Sequence, residues 1–418
     1  MSAPVTQFTL PNGLRVIHQQ DSTTAMVALT LLYNTGARDE SPELTGMAHL
    51  IEHLMFGGSA NVPEFDTELQ MAGGSSNAWT GSDFTCFYEI VPAVNAETAF
   101  WVESDRMISP LFTPESLEIQ KSVVIEEFKQ QCLNRPYGDT AHHLLSLAYD
   151  HHPYRWPVIG IEPDHIASVT TEDVKTFFEN HYTPSNAILA VTGNISLERC
   201  RELCGKYMAT VPDKRVTLRD LPVDSPITSP RYKRVEEYVT QRALTISYRM
   251  DPYGTDGYYA ADAISDILSN GKSSRFYRNL LNGTDLFTEV DASIMGSEEP
   301  GLFLINARLR ENSNEAEKLA IQAIDSELTA LTSNGVTSYE LERAANKYES
   351  THTFNNLHYA RAGLNLAMAC MHGERTEDPV IKYRALTPKF VTATARRLFD
   401  QSSRVILSYG GSTKPAEE

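Results

Sequence analysis

The segment 49–53 reads HLIEH and brings two histidines and a glutamate within five residues of one another. On an α-helix, residues four apart lie on one face, so the imidazoles of His49 and His53 can point at one metal ion. Glu52 precedes the second histidine, where a carboxylate can take a proton from an attacking water. This order of residues is typical of metal-assisted hydrolysis. The alternative is a helix with two surface histidines and a solvated glutamate.

The residues around this segment predict the helix that it needs. Gly46 precedes it, apolar residues follow at positions 47, 50, 51, 54 and 55, and Gly57-Gly58 ends the run. Apolar residues at this spacing are typical of an amphipathic helix, and paired glycines are typical of its end.

A catalytic zinc usually has three protein ligands, so a third must come from another element. The segment 114–131 is the best candidate, a helix with Thr113 as N-cap and Pro114 at its first position. Glu127 lies close to an apolar stripe formed by Leu117, Val124 and Phe128. A carboxylate beside a buried stripe is costly unless it is paired or binds a metal.

Length and composition limit the class of protein. A chain of 418 residues exceeds one ordinary core, so two domains are expected. The net charge of −18 argues against a nucleic-acid partner. It would favour basic peptides if the acids line a chamber, although a solubilising acidic surface is the favoured interpretation.

No apolar run reaches the length of a membrane span, so no membrane partner is expected. The first residues show neither a basic nor an apolar region of a signal peptide, although a trimmed leader would look the same. An odd number of scattered cysteines indicates reduced thiols. We therefore expect a cytoplasmic protein.

Two parts of the chain form a diverged repeat. Residues 170–194 align without a gap with residues 387–411, each a helix followed by a strand. The segment 48–58, which carries the histidines, aligns with 261–271. At that register Asp262 replaces His49, Ser265 replaces Glu52 and Asp266 replaces His53. The second copy therefore keeps the apolar pattern and lacks the metal-binding residues.

The proline-containing stretch 209–233 has the composition of a linker between two halves. We predict an N-terminal metal-binding domain over 1–208 and a homologous C-terminal domain over 234–418 that lacks the zinc motif. The expected fold class is α+β. Each domain should be a mostly antiparallel β-sheet packed by helices on one face.

Taken together, the motifs resemble the insulysin/pitrilysin-type inverzincin (HxxEH) zinc peptidase family. The resemblance is closest to its short-chain bacterial and mitochondrial-processing-peptidase-like subgroup, and it extends over nearly the whole chain. The matching segments are FTLPNGLRVI (8–17), GARDE (36–40), GMAHLIEHLMFGG (46–58), NAWT (77–80), VVIEE (123–127), Gly160 and HYTPSNA (181–187).

This resemblance implies one Zn²⁺ per chain, held by His49, His53 and Glu127, with Glu52 as the catalytic base. Glu126 is the nearest competitor for the third ligand, but on a helix it points about 100° away from Glu127. The family often carries a further glutamate seven residues before the ligand, where this chain has Gln120.

The resemblance also implies substrate-binding residues. Asn77 and Ala78 would lie on an edge strand and hydrogen-bond a peptide backbone; the alternative is a glycine-rich loop before an ordinary hairpin. Arg275 fits a substrate-binding arginine of the second half, or is a helix-surface arginine. The tyrosine that accompanies that arginine in the family is replaced by Thr288, and Tyr277 is a different position.

The implied function is a zinc-dependent endopeptidase that hydrolyses unfolded peptides or presequence-like segments. Short members of the family have two domains and pair with a second two-domain chain to enclose the substrate. The partner would be a second copy in a homodimer or, as the departure at Thr288 favours, a homologous zinc-less chain in a heterodimer. The alternative is a non-catalytic structural or assembly subunit of the same fold.

Overall fold

The structure, a computed structural model, describes residues 4–214, 216, 220–373 and 379–411. It divides into two compact units. The first unit consists of residues 1–131, 152–222 and 353–377, and the second of residues 132–151, 223–352 and 378–418. The domains and the linker predicted from the sequence are continuous ranges. Each compact unit, in contrast, includes one segment from the other half of the chain. The predicted domain boundaries stay a prediction.

Fourteen α-helices lie in the described ranges. They are α1 (Met47–Leu54), α2 (Phe65–Met71), α3 (Ala96–Ile108), α4 (Pro114–Phe128), α5 (Thr140–Ala148), α6 (Pro163–Ser168), α7 (Thr171–His181), α8 (Leu197–Lys206), α9 (Asp256–Ser269), α10 (Asn314–Asn334), α11 (Ser338–Asn355), α12 (Tyr359–Met371), α13 (Pro379–Ala385) and α14 (Pro388–Leu398). None of these helices combines the length and the apolar character that crossing a bilayer requires.

The first unit is built on a six-stranded sheet. Its strands are β1 (Val5–Thr9), β2 (Arg15–Gln20), β3 (Met26–Tyr33), β4 (Ser75–Thr80), β5 (Thr85–Pro92) and β6 (Ala187–Gly193). Their order is β1-β2-β6-β3-β5-β4. β2 and β6 are parallel, and the other neighbours are antiparallel. β4 therefore lies at one edge of the sheet.

The second unit repeats this arrangement with one strand fewer. Its strands are β7 (Arg231–Val235), β8 (Ala243–Arg249), β9 (Phe287–Met295), β10 (Leu302–Leu309) and β11 (Val405–Tyr409). Their order is β7-β11-β8-β10-β9, with β7 and β11 parallel. Apart from β1, each strand corresponds to one in the first sheet. The predicted α+β class, with two homologous, mostly antiparallel domains, is confirmed.

The aligned segments of the repeat have the same local structure. Thr170 caps α7 by accepting a hydrogen bond from the Asp173 backbone N–H at 3.2 Å. Thr387 caps α14 by accepting one from the Phe390 backbone N–H, also at 3.2 Å. The strands that follow, β6 and β11, occupy equivalent places in their sheets. These caps satisfy backbone donors that the first helical turn leaves unpaired.

Helices cover both faces of the first sheet. On one face, side chains of alternate strand residues join the main core with α1, α3, α4 and α7. On the opposite face, Leu32, Ile188 and Ala190 contact Leu364 and Ala367 of α12. The prediction had helices on one face, and α12 is an addition to it. β3 is accordingly apolar along almost its whole length, as expected for a strand buried on both faces.

Candidate metal centre

The helix α1 places the HLIEH segment against the core. Its apolar side faces inward through Met47, Leu50, Ile51 and Leu54, all buried. Because these residues recur at helical spacing, His49, Glu52 and His53 fall on the opposite side. All three are half-buried, which leaves them accessible while they are held by a fixed helix. The helix predicted from the sequence is confirmed.

The start of α1 is held by a buried carboxylate. Glu40 Oε2 accepts from the Gly46 backbone N–H at 2.8 Å, and its Oε1 accepts from that of Ala48 at 2.9 Å. Gly46 has a φ of +89°, which favours glycine. Burial raises the pKa of Glu40 to about 8, although both hydrogen bonds oppose that rise. Glu40 thereby fixes the N-terminal turn of the helix that carries the histidines.

The helix α4 supplies the carboxylate. Thr113 caps it by accepting from the Ser116 backbone N–H at 3.1 Å, and Pro114 is its first residue, as predicted. The predicted apolar stripe is confirmed, because Leu117, Val124 and Phe128 are buried. Glu127 Oε1 accepts from Nε2 of Gln131 at 2.6 Å. The neighbouring Glu126 is exposed and pairs with Lys129 at 3.7 Å.

Three donor atoms converge between α1 and α4. Nε2 of His49 and Nε2 of His53 are 3.3 Å apart, and Oε2 of Glu127 lies 3.8 and 3.5 Å from them. Among the residues that the structure describes, this is the only group of three or more His, Cys, Asp or Glu side chains close enough to hold one metal ion.

The spacing of these atoms fits zinc. Zinc bonds to nitrogen and oxygen of about 2.0–2.2 Å, at tetrahedral angles, place ligand atoms about 3.3–3.6 Å apart. Burial, assisted by the neighbouring His53, lowers the pKa of His49 to about 4. The His49 imidazole is therefore neutral at pH 7, with a lone pair available for a metal. Two imidazoles and one carboxylate are a donor set that suits zinc.

Glu52 lies beside this group and is oriented by β4. The Thr80 hydroxyl donates to Oε2 of Glu52 at 2.5 Å. Burial raises the pKa of Glu52, the Thr80 hydrogen bond opposes this rise, and the negative charge of Glu127 adds to it. A carboxyl with a raised pKa is better suited to exchanging protons near neutral pH than an ordinary surface glutamate.

Comparison with family profiles identifies the family. Residues 15–160 match the profile described as insulinase (peptidase family M16), and residues 168–348 match the profile described as the peptidase M16 inactive domain. The chain belongs to peptidase family M16. This confirms the resemblance drawn from the motifs. The HLIEH segment and Glu127 lie in the first matched region, and Asp262 and Asp266, which replace the two histidines, lie in the second.

Relatives of known sequence and structure agree with this membership. An uncharacterised zinc protease of Bacillus subtilis, YmxG, is 26% identical over 414 residues, covering 96% of this chain and 98% of its own length. The crystal structure of a protease from Helicobacter pylori has the same fold, with a TM-score of 0.90 and 24% identity over 98% of this chain and 100% of that one. The periplasmic protease PqqL of Escherichia coli matches 98% of this M16 chain with a TM-score of 0.79 and 17% identity, but only 48% of PqqL is covered.

The M16 chain has Asn77 and Ala78 on the edge strand β4, as expected from the sequence. They pair with Tyr88 and Phe87 of β5, and the other side of β4 has no neighbouring strand in the described sheet. The Asn77 side-chain oxygen accepts from the Ala78 backbone N–H at 2.8 Å. Their role in substrate binding stays a prediction.

Arg275 lies in the second unit and has a partner there. Its guanidinium donates to both oxygens of Glu340, at 2.7 and 2.9 Å, and to the Gly335 carbonyl at 2.9 Å. This bidentate ion pair is a strong geometry for arginine and a carboxylate. A substrate-binding role, which stays a prediction, would require Arg275 to exchange these contacts. Thr288 donates to the Arg308 carbonyl at 3.2 Å.

Three residues that support the centre were not identified from the sequence. Glu40 caps α1, Thr80 orients Glu52, and Gln131 donates to Glu127. Gln131 follows Glu127 by four residues, so helical spacing was a usable signal. Glu40 and Thr80 gave no such signal, because neither shares a helix or strand with the groups that it contacts.

Proposed function

We propose that this chain is a zinc-dependent endopeptidase that hydrolyses peptide bonds of unfolded peptides or presequence-like segments. One observation carries the proposal: His49, His53 and Glu127 converge at zinc-ligand spacing with Glu52 beside them. The name of the B. subtilis relative, a zinc protease, agrees with it. A purely structural subunit has no need for this set of four residues.

The four residues would have different roles in the reaction. His49, His53 and Glu127 would hold Zn²⁺, which when bound supplies Lewis-acid chemistry by polarising the peptide carbonyl and making a water more acidic. Glu52 would take the proton of the attacking water and deliver it to the leaving amine. Thr80 would keep the Glu52 carboxylate in position during both transfers.

The edge strand β4 is suited to hold the peptide. A strand at the edge of a sheet offers unpaired backbone N–H and C=O groups to which an extended peptide can add. β4 contains both Thr80, which contacts Glu52, and the Asn77-Ala78 pair. A peptide that pairs with β4 would therefore lie within reach of the proton-transfer residue. An unfolded peptide can supply such an extended segment anywhere along its length.

The proposal includes a second two-domain chain that completes a chamber around the substrate. PqqL supports it, because PqqL contains this two-unit fold within about half of one longer chain. The partner would be a second copy or a homologous zinc-less chain. The ion pair of Arg275 with Glu340 favours the zinc-less chain, since this arginine is already engaged in its own unit.

Metal analysis combined with a cleavage assay tests the proposed function. The full chain, tagged and purified from its host so that a partner is retained, should contain one zinc per chain and cleave a quenched fluorescent peptide. A chelator should abolish cleavage, and added zinc should restore it. Glu52→Gln, prepared identically, should retain zinc and lose about 10²–10⁴-fold in turnover. Cleavage by Glu52→Gln at the wild-type rate, or cleavage unaffected by chelator, would contradict the proposal.

A further inference from the structure

A recess in the first unit adjoins the edge strand. It lies between the β4–β5 hairpin and the segment 355–361, which ends α11 and begins α12, and we call it the α12 cleft. Its volume is about 700 Å³. Trp79 and Tyr88 form one wall, and His358 and Arg361 belong to the other. None of the residues identified at the metal centre lines this cleft.

The α12 cleft is on the face of β4 opposite to Glu52. The rings of Trp79 and Tyr88 are 6.1 Å apart between centroids, so they share one face of the hairpin. Thr80 follows Trp79, and its side chain contacts Glu52 on the other face. Side chains of an extended peptide alternate between the two faces of a sheet. A peptide added to β4 would therefore direct every second side chain to the α12 cleft.

The charge of the α12 cleft differs from that of the whole chain. The protein has 54 acidic and 36 basic residues, yet none of the described residues that line the cleft is an aspartate or a glutamate. Arg361 is exposed, and no described residue forms a salt bridge or side-chain hydrogen bond with it. His358 is exposed beside it. The cleft thus combines an aromatic wall for methylene groups with an available guanidinium for a carboxylate.

We propose that the α12 cleft is a specificity subsite that binds an acidic side chain of a peptide lying along β4, with Arg361 as the charge partner. The inference rests on the proposed function, because it uses the same peptide on the same edge strand. It adds a preference for an acidic side chain at one position of the peptide, which the metal centre itself does not impose. Glutamate fits the cleft better than aspartate, since its longer side chain spans the aromatic wall before reaching Arg361.

Binding of matched peptides tests the subsite without requiring turnover. N-acetylated, C-amidated fluorescent decapeptides, which carry no terminal carboxylate, would differ only by Glu, Gln or Lys at one scanned position. Their affinities for the zinc-loaded Glu52→Gln chain would be measured by fluorescence anisotropy. At one position, the Glu peptide should bind about threefold or more tighter than the Gln peptide, and high salt should reduce this ratio.

Substitution of Arg361 tests the assignment of that preference. In Arg361→Gln, the Glu and Gln peptides should bind with equal affinity. In Arg361→Glu, the Lys peptide should bind most tightly. Lys175→Gln is the matched control: it removes the same charge from an exposed residue of α7, which packs on the other face of the sheet, and the ratio should persist. An unchanged ratio in Arg361→Gln, equal affinities at every position or no binding of any peptide would overturn the inference.

The two proposals can fail separately. Zinc-dependent cleavage with no preference for Glu at any position would remove the subsite and leave the proposed function intact. An Arg361-dependent affinity ratio in a chain whose cleavage is insensitive to Glu52→Gln would remove the proposed function and leave the subsite intact.

Discussion

Two adjacent glutamates on α4 have different environments, and this difference decides which of them can bind a metal. Glu127 Oε2 lies 3.5 Å from Nε2 of His53, whereas Glu126 is exposed and pairs with Lys129. A turn of about 100° per residue separates their directions. The residue type alone therefore does not show which glutamate faces the histidines. The orientation of α4 relative to α1 places Glu127 there.

We expect Glu127→Gln to lose zinc and Glu126→Gln to retain it. An amide replaces a charged ligand in the first variant, so its zinc affinity should fall by more than the ~10–100-fold that loss of an outer partner costs. In the second variant only a surface ion pair is lost. Zinc affinity measured by competition with a chromophoric chelator would compare them. Equal affinities would contradict the assignment of Glu127.

In the second unit, carboxylates occupy the positions of the histidines. Asp262 accepts a hydrogen bond from the Tyr383 hydroxyl, and Asp266 accepts one from the Asn270 side chain. Burial raises the pKa of Asp262 to about 6; the Tyr383 hydrogen bond opposes the rise and the charge of Asp266 adds to it. These residues serve contacts within their own unit, since Tyr383 also stacks on Tyr348 with ring centroids 3.7 Å apart.

Asp262 should make stability depend on pH. Its folded-state pKa is raised above the ordinary 3.8. Its contribution to the free energy of unfolding is therefore fully present below about pH 4 and is lost as pH rises towards 6. Asp262→Asn keeps an oxygen for Tyr383 and does not ionise. Its unfolding free energy should therefore gain about 2–3 kcal/mol relative to wild type between pH 4 and 7. Urea unfolding of both proteins across this range would measure the gain, and parallel pH profiles would contradict it.

At the scale of elements, close packing of α12 on the first sheet depends on a glycine. A Cβ on Gly363 would lie 2.5 Å from Thr30 Oγ1 and 3.1 Å from Thr30 Cβ. Nearby, the Thr192 hydroxyl donates to the Tyr359 carbonyl at 3.1 Å. The helix can approach β3 and β6 this closely only because position 363 has no side chain.

Gly363→Ala should destabilise the protein although alanine is the better helix former. The added methyl group must displace β3 or α12, which costs about 1–3 kcal/mol and exceeds the gain in helix propensity. Gly205→Ala on α8 is the control, since a Cβ there would have no atom of a described residue within 4 Å beyond its own helix neighbours. It should stabilise by about 0.5–1 kcal/mol. Thermal unfolding of both variants would show opposite shifts, and a shift of the same sign in both would contradict this packing argument.

At the scale of the whole molecule, the residues that the structure describes form one candidate metal centre for two similar units. Apart from β1, the two sheets have the same strand order, and His49 and His53 belong to the first unit. PqqL contains the same two-unit fold within about half of its length. In the proposed chamber, a second two-domain chain would correspond to the remaining half of PqqL.

The isolated chain should accordingly bind zinc and cleave peptides poorly. Its centre uses residues of one unit, so zinc binding needs no partner, while enclosure of the substrate does. Native mass, zinc content and cleavage rate would be measured before and after the co-purifying partner is removed. Strong activity of the chain as a homodimer would contradict the zinc-less partner, and strong activity as a monomer would contradict the chamber itself.

The sequence by itself determined the local features. Helical spacing predicted α1 with both histidines on one side, and it predicted the cap and apolar stripe of α4 with Glu127 beside that stripe. The repeat predicted two similar α+β halves, because covalent order and side-chain periodicity are sufficient to define helices, strands and their buried faces.

Only the tertiary structure decided which distant groups meet. It brought Glu127 to the histidines, Glu40 to the start of α1 and Thr80 to Glu52. It also assigned α12 to the first sheet, although α12 lies within the second half of the repeat in the sequence. Periodicity shows which side of a helix is buried. It does not show which surface packs against that side, because the same local pattern is compatible with many apolar surfaces. Close packing and paired polar groups select one of them.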